Sequence, residues 1–272
     1  MYKQFFGLKE KPFNVTSDPG FIFFSRRHKE AFSQLTYGIK EKKGFLAITG
    51  EIGTGKTTLC RALLNSLDEK TKTAFILNPD LSPLQLLEAI VEDFGIKVER
   101  RTKLNLFRQL NNFLIEGLNL DHNVVLIVDE AQNLKPSLLE EIRLLSNLET
   151  EKEKLFQIVL VGQPQLRKRL DDPSLKQLQQ RIAVRYHILP LDEDEVRPYI
   201  YHRLKVAGCE TGVDFSETAI SEIFIYAGGV PRLINLVCEK ALLLAFVLET
   251  KDISKEIIKK SVAEIEGNYE HN

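Results

Sequence analysis

Cysteine is scarce in this sequence. It occurs three times in 272 residues, at Cys60, Cys209 and Cys238, with no spacing that suits a disulfide framework or a metal cage. Thiols so few and so scattered fit a reducing compartment. Long apolar runs are also missing. The longest strongly apolar stretch is Ala241 to Leu248, whereas a membrane span needs about 20 residues. An export signal would need an extended apolar stretch near the start, yet Met1-Tyr2-Lys3-Gln4-Phe5-Phe6-Gly7 gives way to charge at Lys9 and Glu10. Net charge is nearly absent, with 37 Lys and Arg against 38 Asp and Glu. That excludes a surface basic all over, as a nucleic-acid glove would be, and leaves room for a local basic patch. Repeats and low-complexity segments are lacking as well. These absences lead us to expect a cytoplasmic protein, held at the inner membrane, if at all, through a partner rather than by insertion.

What is present is a globular balance of 43% hydrophobic and 28% charged residues, with enough chain for one large domain or two small ones. Short, continuous apolar runs read as parallel strands covered on both faces. They are Phe45 to Thr49, Thr73 to Leu77, Val124 to Val128 and Phe156 to Val161, with a weaker fifth from Val184 to Leu189. Helical segments alternate with them: Thr57 to Leu67, a helix ending near Phe94, Leu104 to Leu118, and Pro136 to Leu148. Ser82-Pro83-Leu84-Gln85 has the N-cap, N1 proline and N3 glutamine of a capping box at the start of the second. Strand–helix alternation of this kind predicts a doubly wound parallel α/β sheet. After Pro190 the texture turns helical, with acids at Asp192 to Glu195 opening a helix where its dipole favours them. Further helices follow near 216–227, 231–248 and 254–265, with Gly228-Gly229 and Pro231 as punctuation. The expected organisation is an N-terminal arm and α/β domain over residues 1–190, then a small all-α lid domain over 191–272.

Gly50-Glu51-Ile52-Gly53-Thr54-Gly55-Lys56-Thr57 matches G-x-x-x-x-G-K-[ST] in full, between an apolar strand and a helix. Its glycines let backbone N–H groups turn inward around a phosphate, and the helix N-terminus adds its positive end. Lys56 reaches the β and γ oxygens, the Thr57 hydroxyl ligates Mg²⁺, and Thr58 extends the same turn. Val124 to Val128 followed by Asp129-Glu130 forms a Walker B pattern. Asp129 would hold Mg²⁺ through water, and Glu130 would act as general base on the attacking water. Gln163, at the tip of Val161-Gly162-Gln163-Pro164, is a candidate for orienting that water. Arg181 is a candidate finger reaching a neighbouring subunit's site, with Arg185 competing for the role, and Arg232 is a candidate sensor in its own chain.

These residues, in this order, resemble the AAA+ superfamily. Tyr2, Phe5-Phe6-Gly7-Leu8, Lys11-Pro12-Phe13, the P-loop through Thr58, Val128-Asp129-Glu130-Ala131-Gln132, Val161-Gly162-Gln163-Pro164 and Gly229-Val230-Pro231-Arg232 look like the ATPase domain of the ExeA/GspA family. That family is tied to general secretion and is related to the transposition ATPase TnsC. The resemblance implies ATP and Mg²⁺ as cofactors, ATP hydrolysis, a homo-oligomeric ring or filament, and a secretion or envelope partner. It also implies that Pro12 and Phe13 border the adenine; the alternative is an arm that only caps the core. ExeA-like proteins continue into a membrane span and a peptidoglycan-binding region, whereas this sequence stops at Asn268-Tyr269-Glu270-His271-Asn272. We therefore expect either a truncated chain or a stand-alone ATPase, and the peptidoglycan role is not carried over.

Two segments are locally basic. Residues 97–108 hold Lys97, Arg100, Arg101, Lys103 and Arg108 against Glu99, and 165–185 hold Arg167, Lys168, Arg169, Lys176, Arg181 and Arg185 against Asp171 and Asp172. Either they line a pore that contacts duplex DNA, as in a TnsC-like regulator, or they are solvated faces that pair with acids of a neighbour. No aromatic residues interleave them to stack on bases.

Overall fold

The computed structural model describes residues 2–77, 79–150, 154–209 and 212–268; the terminal Tyr269-Glu270-His271-Asn272 quoted above lies outside them. In chain order the elements are α1 (Tyr2–Phe5), α2 (Arg26–Lys40), β1 (Phe45–Gly50), α3 (Lys56–Ser66), β2 (Thr71–Ile76), α4 (Pro83–Asp93) and α5 (Lys103–Asn119). Then come β3 (Asn123–Val128), α6 (Pro136–Leu145), β4 (Gln157–Gly162), α7 (Pro164–Leu170), α8 (Lys176–Gln179) and β5 (Ile182–Ile188). The chain closes with α9 (Glu193–Val206), β6 (Asp214–Phe215), α10 (Glu217–Ala227), α11 (Pro231–Val247), β7 (Asp252–Ile253) and α12 (Lys255–Ile265). They gather into two compact units. One holds residues 27–51 and 59–188; the other holds the segment up to Arg26, residues 52–58, and the chain from Leu189 on.

The first unit is an α/β layer with strand order β2-β3-β4-β1-β5, every neighbouring pair parallel. The inner strands β1, β3 and β4 are buried almost throughout, which is why their sequences are continuously apolar. The edge strands β2 and β5 are only partly covered, with Ala74 and Ile76 buried in β2 and Ile188 alone buried in β5. Each begins earlier than its apolar run suggests, at Thr71 and Ile182. The expected capping box on α4 is formed: the Gln85 N–H donates to Ser82 Oγ at 3.3 Å, and the Ser82 N–H donates to Gln85 Oε1 at 2.9 Å. Helix α2 has no counterpart in the sequence reading. Its buried face, His28, Ala31, Leu35, Gly38 and Ile39, offers only three apolar side chains among charged and polar neighbours.

The second unit is built on α1 and α9 to α12. The N-terminal arm, read from sequence with the α/β domain, packs here instead: Phe6, Phe13 and Phe21 are buried with Ile200, Phe215 and Ile234. The region expected to be wholly helical also carries a two-stranded parallel ladder, with Asp214 opposite Asp252 and Phe215 opposite Ile253. Strands this short leave no periodicity to detect. Arg203 on α9 is buried and makes no ion pair among the described residues. Its guanidinium donates to the carbonyls of Pro12 and Asn14 and to the Tyr199 hydroxyl, and it lies 4.8 Å from the Phe21 ring centre. No helix among the described residues is long and apolar enough to cross a membrane.

All three cysteines are buried, and burial pushes the Cys209 and Cys238 thiols up from their ordinary range. The native protein should therefore resist a neutral-pH thiol reagent and take it up at Cys60, Cys209 and Cys238 only on unfolding. A thiol titration that finds a rapidly reacting group in the native state would contradict this burial.

Candidate nucleotide site

In a parallel sheet every strand ends on the same edge, so the residues following β1, β3 and β4 share it. At the end of β3, Asp129 is 2% exposed. Its N–H donates to the Ile76 carbonyl at 2.8 Å, and its Oδ1 accepts the Glu130 N–H at 2.8 Å. That tether accompanies a left-handed Glu130 backbone, with φ at 51°. The Glu130 Oε2 receives the side-chain amide of Gln163 at 3.1 Å and that of Gln132. Gln163 stands at the N-cap of α7 with Pro164 behind it, yet its side chain does not cap the helix; it reaches across to β3 instead. At the end of β1, Thr49 Oγ1 lies 2.9 Å from His187 Nδ1 on β5.

The P-loop is the covalent continuation of β1 beyond Gly50 and Glu51. Gly53 and Gly55 take positive φ, 80° and 90°, which glycine adopts without the steric cost a Cβ brings. Thr54 and Lys56 are buried and Ile52 is exposed. Helix α3 opens at Lys56, so Thr57 and Thr58 fall in its first turn, where no acidic residue offsets the positive helix end. Arg232 is in the first turn of α11, and its backbone N–H donates to the Gly53 carbonyl at 3.3 Å. The candidate sensor thus sits against the phosphate loop.

The other candidates lie elsewhere. Phe13 is in the core of the helical unit, and the Pro12 carbonyl is held by Arg203. Arg181 immediately precedes β5, on the opposite sheet edge from Glu130, and donates to Ser146 Oγ at 3.0 Å. A seven-residue strand separates the two edges by about 20 Å, so Arg181 does not serve its own chain's carboxyl edge. Arg185 is paired with Asp171 at 2.8 Å. Gln132 belongs to the Val128–Gln132 motif but its residue type assigns it no chemical role, and a histidine on an edge strand such as His187 carries no motif of its own.

A phosphate loop after β1, acids after β3, a polar side chain after β4 and the order β2-β3-β4-β1-β5 together define the fold of an AAA+ P-loop ATPase. Residues 39–170 match the family described as AAA domain. The chain resembles the GspA-like AAA+ proteins: it is 44% identical over 268 residues to General secretion pathway protein A of Aeromonas hydrophila. That match covers 98% of this chain and 49% of the relative, so the chain spans about half the relative's length. Solved structures share the fold at low identity. The Aeropyrum pernix ORC2 protein, in ADPNP and ADP complexes, has a TM-score of 0.68 and 15% identity over 94% of this chain and 71% of that one. The Aeropyrum pernix ORC1 protein in complex with DNA has a TM-score of 0.64 and 16% identity over 89% and 66%.

Proposed function

We propose that this chain binds Mg²⁺-ATP, hydrolyses it, and uses ATP-driven self-assembly to remodel or assemble a secretion or envelope complex from the cytoplasmic side. The observation that carries the hydrolytic part is the Glu130 carboxylate, anchored at the sheet edge by Gln163 and standing next to buried Asp129. In this reading Lys56 and the P-loop backbone bind the β and γ phosphates, Glu130 accepts the proton of the attacking water, and Gln163 orients that water. Arg232 reports the state of the P-loop to α11. The donor set suits Mg²⁺, a hard cation that keeps several waters and takes few protein oxygens: Thr57 offers a hydroxyl and Asp129 a carboxylate. Among the described residues no cluster of three or more His, Cys, Asp or Glu exists to hold a metal alone, and Mg²⁺ bridged to phosphates requires none. When bound, it neutralises charge on the phosphates. An assay of Mg²⁺-dependent ATP turnover, set against Lys56→Ala and Glu130→Gln, tests the reading directly.

The position of Arg181 on the far sheet edge supports a role in trans. Arg181→Ala should keep ATP binding and lose roughly 10³-fold in hydrolysis. Mixing it with Lys56→Ala subunits should restore part of the rate. If mixing restores nothing, Arg181 is not a finger between subunits.

A second reading, an ATP-dependent DNA-binding regulator, draws on the exposed cations Lys97, Arg100, Arg167, Lys168 and Lys176, which make no ion pair among the described residues. A fold neighbour was solved with DNA. Salt-sensitive duplex binding in the presence of a non-hydrolysable ATP analogue would support it, and its absence would remove it.

A further inference from the structure

Gln132 closes a ring of hydrogen bonds that the functional reading above leaves unexplained. It sits buried in the turn Ala131–Asn133. Its Oε1 accepts the Gln163 backbone N–H at 3.0 Å, and its Nε2 donates to Glu130 Oε2. The orientation of this amide follows from its partners. A backbone N–H only donates, so the atom facing it is the oxygen, and the NH₂ end faces the carboxylate. The Gln163 side-chain amide donates to the same Oε2. Both anchors therefore fall on one oxygen, and Oε1 of Glu130 takes no bond from another described residue. Gly162 leaves room for the arrangement: a Cβ there would lie 2.8 Å from Gln132 Oε1 and 2.9 Å from Leu166 Cδ2.

We infer that Gln132 is a positioning residue for hydrolysis, holding Glu130 by Oε2 so that Oε1 is the oxygen presented to the attacking water. It also joins the base to the end of β4, so Glu130 and Gln163 move as one group. A glutamate at 132 would set two carboxylates against each other; an apolar residue would leave Glu130 with a single side-chain tether. The inference rests on the ATPase reading above.

The test compares Gln132→Met, which has similar length without donor or acceptor, and Gln132→Glu, which keeps the acceptor for Gln163 and loses the donor. Each is measured alone and combined with Glu130→Gln, by single-turnover and steady-state ATP hydrolysis and by binding of a fluorescent ATP analogue. We expect kcat to fall about 10- to 10²-fold, part of what a positioned base supplies. KM and nucleotide affinity should stay within about 2-fold, because the interaction acts on the transition state. In the Glu130→Gln background the same substitutions should add nothing. An unchanged kcat overturns the inference. So does an equal loss in the Glu130→Gln background, which would mean that Gln132 only packs the end of β4. If Met at 132 prevents folding, Gln132→Glu carries the same comparison. A wild type without turnover would defeat the ATPase reading and this inference together, whereas a turning-over wild type with an indifferent Gln132→Met defeats only the inference.

Discussion

Glu130→Gln leaves ATP bound and unhydrolysed, with kcat lowered about 10²- to 10⁴-fold, the share a positioned general base contributes. Lys56→Ala instead loses the nucleotide, weakening binding by about 10²-fold or more, as expected when a charge-assisted contact to phosphate is removed. The two variants separate because they act on different terms. Lys56 is a buried cation in the first turn of α3; it meets phosphate charge in the ground state and the transition state alike. Glu130 acts only when water attacks. The amide put in its place is nearly isosteric and still accepts the Gln163 hydrogen bond at 3.1 Å, so the sheet edge keeps its shape while the base is gone. Equilibrium binding of labelled ATP beside phosphate release distinguishes them. Equal turnover in Glu130→Gln and wild type would remove Glu130 from the mechanism.

The second large effect is on stability. Arg203→Met should destabilise the helical unit by about 3 kcal/mol and release residues 12–16 to protease. The guanidinium is buried and satisfies two carbonyls of the arm, at Pro12 and Asn14, while stacking on Phe21 and Tyr199. Methionine fills much of the volume and supplies no donor, leaving those carbonyls without their partner. Arg203→Lys should rescue poorly, since one ammonium does not reproduce a planar fork. Denaturant unfolding and limited proteolysis read the outcome. An arm as protected in Arg203→Met as in wild type would show that its apolar contacts alone hold it.

The readable parts of this chain are those whose physics is local. The P-loop announces itself because phosphate binding needs particular backbone freedom at fixed spacing. β1, β3 and β4 announce themselves because burial on both faces demands unbroken apolarity. The apolar runs of β2 and β5 are shorter than the strands themselves because each is an edge strand with open positions. Helix α2 leaves no clear period for the corresponding helical reason: only three of its buried residues are apolar side chains. The arm's destination was hidden because Phe6, Phe13 and Phe21 find their partners in α9 to α12, far along the chain. The Gln132 amide was equally hidden. Its meaning depends on a hydrogen bond to Gln163, 31 residues away, and no single-sequence pattern encodes that pairing.

The division of the chain between its two units has a consequence for synthesis. The α/β unit is drawn from one stretch, residues 27–188, interrupted only at 52–58. It has nearly all its partners as soon as β5 leaves the ribosome. The arm is translated before that unit and stays open until the chain beyond Leu189 emerges, because the residues that bury Phe6, Phe13 and Phe21 belong to it. At about 5–20 residues per second, three phenylalanines stay uncovered for many seconds, a window in which a nascent-chain chaperone has its clearest target.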